Sequence, residues 1–256
     1  MTAADRRAVG RATAHRMSAR TAGPLEPVVV NVRVHVLKSK NKARPYATTK
    51  QIRQTLAVLN DAYAGKQSPG AAVDTGFSFK LKSTDTRTNT DWDWARPDSK
   101  QEKAMKLALR KGPRSDLNLY LLNQTKASQL LGWSTLPQDQ KHYPHLDGVA
   151  INVNALPGGS LRYYNLGDTA THEVGHWLGL FHTFEGGCSA FGDGVDDTPR
   201  ERNPTDGCPR DKDTCPAEGA DPVHNFMDYA IDSCMNQFTI GQAQLMSVMW
   251  TQYRAS

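Results

Sequence analysis

No apolar run in this chain approaches the ~18 residues that a membrane-crossing helix needs, so no spanning segment is expected. Neither sign of charge prevails: 31 lysines and arginines against 26 aspartates and glutamates leave +5 on 256 residues. Acidic side chains are scattered among the basic ones, and nucleic acid is not an expected partner. Internal repeats and low-complexity tracts are missing, which argues against a repeat architecture. No cysteine precedes Cys188, so all four thiols lie in the C-terminal part of the chain. Residues 1–26 hold five arginines but no apolar stretch of the kind an export signal carries at its centre. They read either as a transit-like or pro-segment remnant or as a poorly ordered basic tail.

What is present is the composition of a globular protein. With 38% hydrophobic and 22% charged residues, a chain of this length can bury a sizeable core. From Pro27 the pattern is that of a folded domain. In PVVVNVRVHVL, Val28, Val30, Val32, Val34 and Val36 fall on one face and Asn31, Arg33 and His35 on the other, which predicts a strand. Thr48 or Thr49 can cap a following helix in which Ile52, Leu56, Leu59 and Tyr63 recur at helical spacing up to about Ala64. GFSFKLKS alternates Phe77, Phe79 and Leu81 against polar residues, and the polar run from there to Pro97 reads as a long connection. A second helix is expected over about 99–111, stopped by Gly112 and Pro113. Leu117, Leu119 and Leu121 then restore period two, and SQLLGWSTL and GVAINVNAL are both strand-like. This order predicts an α/β (α+β) fold with a mixed, mostly parallel sheet and the next helix packed beneath it.

That next segment, DTATHEVGHWLGLFH, carries the chemistry. Four helical steps of about 100° return to within about 40° of the start, so His172 and His176 share one face and can grip one ion. Glu173 lies on the adjacent stripe, placed to act as a general base on water rather than as a ligand. His182, ten residues beyond His172, would lie ~15 Å along a continuous helix, so the helix must end first. Gly179 can end it, because glycine takes the left-handed conformation without a steric penalty and lets the chain return His182 to the ion. Three imidazoles leave a fourth position for water, as catalytic zinc requires and a closed structural site does not.

HEVGHWLGLFH resembles the extended HExxHxxGxxH signature of the metzincin zinc peptidases. NFMDY, with Met227 and Tyr229, resembles the methionine turn of that group. The stretch from DLNLYLL to MWTQYR, more than half of the chain, is similar to the pappalysin branch, most tellingly in GDGVDDTP, the four cysteines and HNFMDYAIDSC. The resemblance implies a zinc-dependent endopeptidase with His172, His176 and His182 as ligands and Glu173 as base and acid. It implies Met227 as the floor beneath the metal and Tyr229 approaching from the other side. It further implies a peptide or protein substrate extended along an edge strand, for which SQLLGWSTL is the candidate. The reading that follows is one catalytic domain over 27–256, with an upper part over 27–179, a lower part over 180–256 and a cleft between them.

The segment from Phe184 to Asn225 is long for a passive loop. Its neighbourhood holds Cys188, Cys208, Cys215 and Cys234, which allow three pairings and whose spacing does not suit zinc. The resemblance favours Cys188 with Cys215 and Cys208 with Cys234. Paired structural cysteines point to an oxidising compartment and a secreted enzyme, against the missing export signal. Asp193, Asp196, Asp197 and Thr198 in GDGVDDTP suggest a structural calcium, the alternative being a solvated acidic turn. TIGQAQLMSVMWTQYR reads as a closing helix capped by Thr239, with Leu245, Val248 and Met249 on one face.

Overall fold

The computed structural model describes residues 25–124, 130–216 and 219–255. The tail expected over 1–26 falls almost wholly outside them, as do Ser128 and Gln129 of the expected edge strand. Five strands form one sheet: β1 (Val28–Lys38), β2 (Phe77–Thr88), β3 (Leu117–Leu122), β4 (Gly132–Ser134) and β5 (Val149–Asn152). Their order is β2-β1-β3-β5-β4, parallel throughout except for β4 against β5. Among the described residues four α-helices accompany them: α1 (Thr49–Tyr63), α2 (Lys100–Leu109), α3 (Asp168–Trp177) and α4 (Ile240–Met249).

Period two divides the core. Val30, Val32, Val34 and Val36 of β1 join Leu117, Leu119 and Leu121 of β3 in one buried cluster with residues of α1, α3 and α4. On the opposite face Leu37, Tyr120, Leu122 and Ala150 meet Met105 and Leu109 of α2. Parallel strands are covered on both faces in this way, which is why one polar position of β1 is also buried. His35, on the face of β1 opposite the valines, is buried between Asp85 Oδ2 at 3.1 Å and Asn118 Oδ1 at 2.9 Å.

Local chemistry sets the helix ends. Thr48 caps α1 in a reciprocal box with Gln51, Ser99 caps α2 through the Glu102 amide, and Thr239 caps α4 with Gln242. The strand boundaries depart further from expectation. β2 runs on to Thr88 through residues that read as connection, because β1 offers a parallel partner along that whole length and an edge strand tolerates polar side chains. Its register skips Lys82 between Val32 and Arg33, and Leu81 is left exposed instead of sharing the buried face of Phe77 and Phe79. β5 is short, and Val153–Ala155 turn into a 3₁₀ helix.

The closing helix also differs in detail. Val248 is exposed, and Ala243 and Met246 take the buried positions beside Leu245 and Met249. Beyond Met249 a π-helical turn, Trp250–Arg254, re-aims the chain so that Arg254 enters the core. There its guanidinium pairs with the buried Asp147 at 3.1 and 3.2 Å and donates to the Trp177 carbonyl at 2.8 Å. It also lies 3.6 Å from the Trp177 ring centroid. Arg254 thereby caps the carbonyl end of α3.

Candidate metal centre

Helix α3 is pinned at both ends. At its start Gly167 has φ of 116°, and Asp232 Oδ2 accepts the amides of Leu166 at 2.7 Å and Gly167 at 3.1 Å. At its end Gly179 takes φ of 104°, with Gly179 N bonded to His176 O at 2.9 Å and Leu180 N to Gly175 O at 3.0 Å. This pair of bonds is a Schellman close, which reverses the chain within two residues. A Cβ at Gly179 would also lie 2.7 Å from Met249 Cγ, so glycine is required there for packing as well as for its backbone angle.

The reversal returns His182 to the helix. His176 Nε2 stands 3.1 Å from His172 Nε2 and 3.0 Å from His182 Nε2. The other ring nitrogens point away: His172 Nδ1 donates to the Phe226 carbonyl at 2.7 Å and His176 Nδ1 to the Leu180 carbonyl at 2.8 Å. A carbonyl only accepts, so Nδ1 carries the proton and Nε2 presents a lone pair. Burial pushes both imidazoles down to about 3, with a neighbouring imidazole adding to the effect, which keeps them neutral. Acceptors this close cannot satisfy one another. A tetrahedral ion with bonds of 2.0–2.1 Å sets its nitrogens about 3.3 Å apart, close to the spacing found, and resolves the conflict. These three histidines fit zinc, and the carbonyls that orient His172 and His176 are the usual partners of a metal-bound imidazole.

The remaining motif residues surround this centre. Glu173 is buried, and desolvation raises its carboxyl to about 8. Gly132 of β4 makes room for it, since a Cβ there would meet Glu173 Cγ at 2.8 Å. Met227 is fully buried, its sulfur 2.5 Å from where a Cβ on Gly175 would stand, so the methionine seats directly against α3 at Gly175. Tyr229 is 47% exposed and lies edge-on to His182, ring centroids 4.9 Å apart.

Several contributors were not apparent in the sequence. Phe184 stacks on His182 at 4.8 Å with an interplanar angle of 8° and meets Tyr229 at 4.9 Å. Glu185 Oε2 lies 3.7 Å from His182 Nδ1. Both follow His182 within three residues, and that proximity was the only signal available. Gly132 and Gly175 act through the space they leave, which no spacing rule marks.

The cysteines form two disulfides, Cys188–Cys215 and Cys208–Cys234, with Cα separations of 5.4 and 5.7 Å. Of the acidic run, Asp193 and Thr198 are buried whereas Asp196 and Asp197 are exposed. Among the described residues these carboxylates do not gather into a group within 4.8 Å of one another. Asp197 instead accepts from the Thr239 hydroxyl at 2.7 Å and the Gly241 amide at 2.8 Å at the start of α4.

Comparison with known proteins decides what this geometry belongs to. Residues 113–250 match the Peptidase M43 family, described as pregnancy-associated plasma protein-A. The chain belongs to that family. It is 42% identical over 233 residues to an extracellular metalloprotease of Coccidioides posadasii, covering 90% of this chain and 79% of the relative. It is 44% identical over 232 residues to one of Sordaria macrospora, covering 89% and 76%. Among solved structures, mature mirolysin of Tannerella forsythia in complex with a cleaved peptide superposes with a TM-score of 0.76 at 28% identity, covering 89% of this chain and 93% of that one. This M43 peptidase is accordingly a zinc-dependent metalloendopeptidase with the fold of its family. No helix among its described residues is long and apolar enough to cross a membrane.

Proposed function

We propose that this M43 peptidase cleaves extended protein chains at a single zinc ion held by His172, His176 and His182. The convergence of three imidazole Nε2 atoms, two of them aimed by carbonyls on their far side, carries this assignment. Zinc held there polarises a carbonyl and makes water acidic enough to attack near neutral pH. Glu173 takes the proton from the attacking water and hands it to the leaving amide nitrogen. Tyr229 donates its phenol to the carbonyl oxygen as that oxygen becomes an oxyanion. The substrate pairs with the outer edge of β4, whose other edge is occupied by β5, and lies in a cleft between an upper part over 27–179 and a lower part over 180–256. The purified protein is expected to hold one zinc per chain and to cut a denatured protein mixture, with a chelator abolishing cleavage and added zinc restoring it. Chelator-insensitive cleavage would overturn the reading, and mass spectrometry of the digest decides it.

Tyr229→Phe separates the phenol from its ring. Loss of one oxyanion donor typically costs about 10²–10³ in turnover, with KM changing far less because the bond forms mainly in the transition state. A turnover number within about twofold of the parent on one fluorogenic peptide would reduce Tyr229 to a packing residue.

Two further assignments belong here. The disulfides and the extracellular relatives support secretion. Calcium, for which the sequence offers Asp193, Asp196, Asp197 and Thr198, is supported by the Thr198 hydroxyl, which is buried without a hydrogen-bond partner in the same segment as the buried Asp193. A chelator selective for calcium over zinc should therefore lower the melting temperature, since an ion bound only to the native state stabilises it by mass action. An unchanged melting curve in calorimetry would leave GDGVDDTP an acidic turn that caps α4.

A further inference from the structure

Behind the metal centre lies a buried polar cluster that the motif does not account for. Glu201 is fully buried, and both its oxygens are engaged: Oε2 accepts from the Thr183 hydroxyl at 2.6 Å and Oε1 from the Thr205 hydroxyl at 3.1 Å. The Lys212 ammonium reaches the same Oε1 and also donates to Thr205 Oγ1 at 3.0 Å and to the Asn203 carbonyl at 2.6 Å. Asp221 Oδ2 stands 3.3 Å from that ammonium, and the amide and hydroxyl of Thr214 hold the Asp221 carboxylate at 3.0 and 2.8 Å. Among the described residues, Lys212 is the only cation paired with Glu201 or Asp221.

This cluster reaches the site by two routes. Thr183 follows His182 directly, and its amide donates to the Met227 carbonyl at 3.2 Å. The Thr205 amide donates to Asp228 Oδ1 at 2.9 Å, and the same oxygen accepts the Tyr229 amide at 2.7 Å. One ammonium–carboxylate pair thus stands behind both the third histidine and the tyrosine, which arrive from distant stretches of chain. Holding the loop together is not a sufficient role for it. Cys208 and Cys215 lie on either side of Lys212, and their disulfides already anchor the backbone there. What the ammonium adds is the compensation of buried carboxylates, without which Glu201 has no electrostatic reason to stay against Thr183 and Thr205.

We propose that Lys212 and Glu201 are positioning residues of the hydrolysis, holding His182 at the metal through Thr183 and Tyr229 at the oxyanion through Thr205 and Asp228. This rests on the zinc-peptidase reading above. The test uses the zinc-loaded full chain with Lys212→Gln, Thr183→Val and each combined with Tyr229→Phe. Partners that support metal ligands from outside typically contribute about 10–100-fold in metal affinity or activity. Lys212→Gln is therefore expected to lower kcat about tenfold or more with KM within about twofold, and to release zinc to a chromogenic chelator about tenfold faster.

Thr183→Val cuts only the route to His182, so it should speed zinc release while costing less in kcat than Lys212→Gln. In the Tyr229→Phe background Lys212→Gln should cost less kcat than in the parent, because one of its two routes is already gone. A folded Lys212→Gln protein with parental zinc release and kcat overturns the proposal, as do losses that are fully additive with Tyr229→Phe. Should Lys212→Gln fail to fold, Thr183→Val decides, and a parental zinc-release rate there overturns it. A parent without chelator-sensitive cleavage would sink the peptidase reading instead, and the zinc-release comparison would still judge the positioning role.

Discussion

Glu173→Gln is expected to keep its zinc and to lose about 10²–10⁴ of its turnover, the range that a positioned general base and acid supplies. The substitution keeps the size and shape of the side chain, so the pocket opened by Gly132 is still filled. It removes the one property the reaction uses, a carboxylate that can bind and release a proton. Zinc should be retained because the convergent nitrogens belong to His172, His176 and His182, with Glu173 outside that set. Burial alone raises the Glu173 carboxyl to about 8, which favours the protonated form that donates. A neighbouring dication acts in the opposite sense and favours the ionised form that accepts. The two influences together suit a group that must do both in one turnover. Metal analysis and steady-state kinetics on the purified variant check this: parental turnover would refute the base, and loss of zinc together with activity would make Glu173 a ligand.

Arg254→Met is expected to destabilise the fold by about 3–5 kcal/mol, the usual consequence of removing one partner from a buried ion pair. In a domain of this size that corresponds to a fall of roughly 6–20 °C in melting temperature. Both Arg254 and Asp147 are fully buried, so methionine leaves the Asp147 carboxylate uncompensated with, among the described residues, only the Trp177 indole at 3.1 Å to satisfy it. The Trp177 carbonyl at the end of α3 loses its donor as well. Because α3 bears His172 and His176, two of the three ligands proposed above, zinc should be lost at lower temperature in the same variant. Adding Asp147→Asn removes the stranded charge, retains an acceptor for Trp177, and should recover much of the loss. Differential scanning calorimetry on the single and double variants tests this, and a single variant that melts within about 2 °C of the parent would show that solvent or the backbone compensates Asp147.

Read as a sequence, HEVGHWLGLFH already contains the logic of the metal centre. Four-residue spacing puts His172 and His176 on one face by helical geometry alone, and Gly179 can end the helix because a glycine permits a positive φ. The strands of the central sheet were legible for the same kind of reason, since alternating valines and leucines in β1 and β3 have one periodicity that buries them. These features depend on neighbours within a few residues, and local rules read them directly. The length of β2 was not legible, because its polar second half becomes strand only through the partner that β1 provides. Nor was the burial of His35, which depends on Asp85 and Asn118 from two other strands.

The support of the site lay further still from sequence reasoning. The carbonyl of Phe226 that orients His172, the space at Gly175 that seats Met227, and the convergence of Lys212, Glu201 and Asp221 join residues separated by long stretches of chain. The histidines, Glu173 and the main helices follow from periodicity and backbone stereochemistry, which act over short distances along the chain. Which carbonyls, cations and glycines hold those side chains in working geometry was decided by tertiary packing alone, because hydrogen bonds and close contacts across the fold depend on distance in space and leave no periodic trace in the sequence.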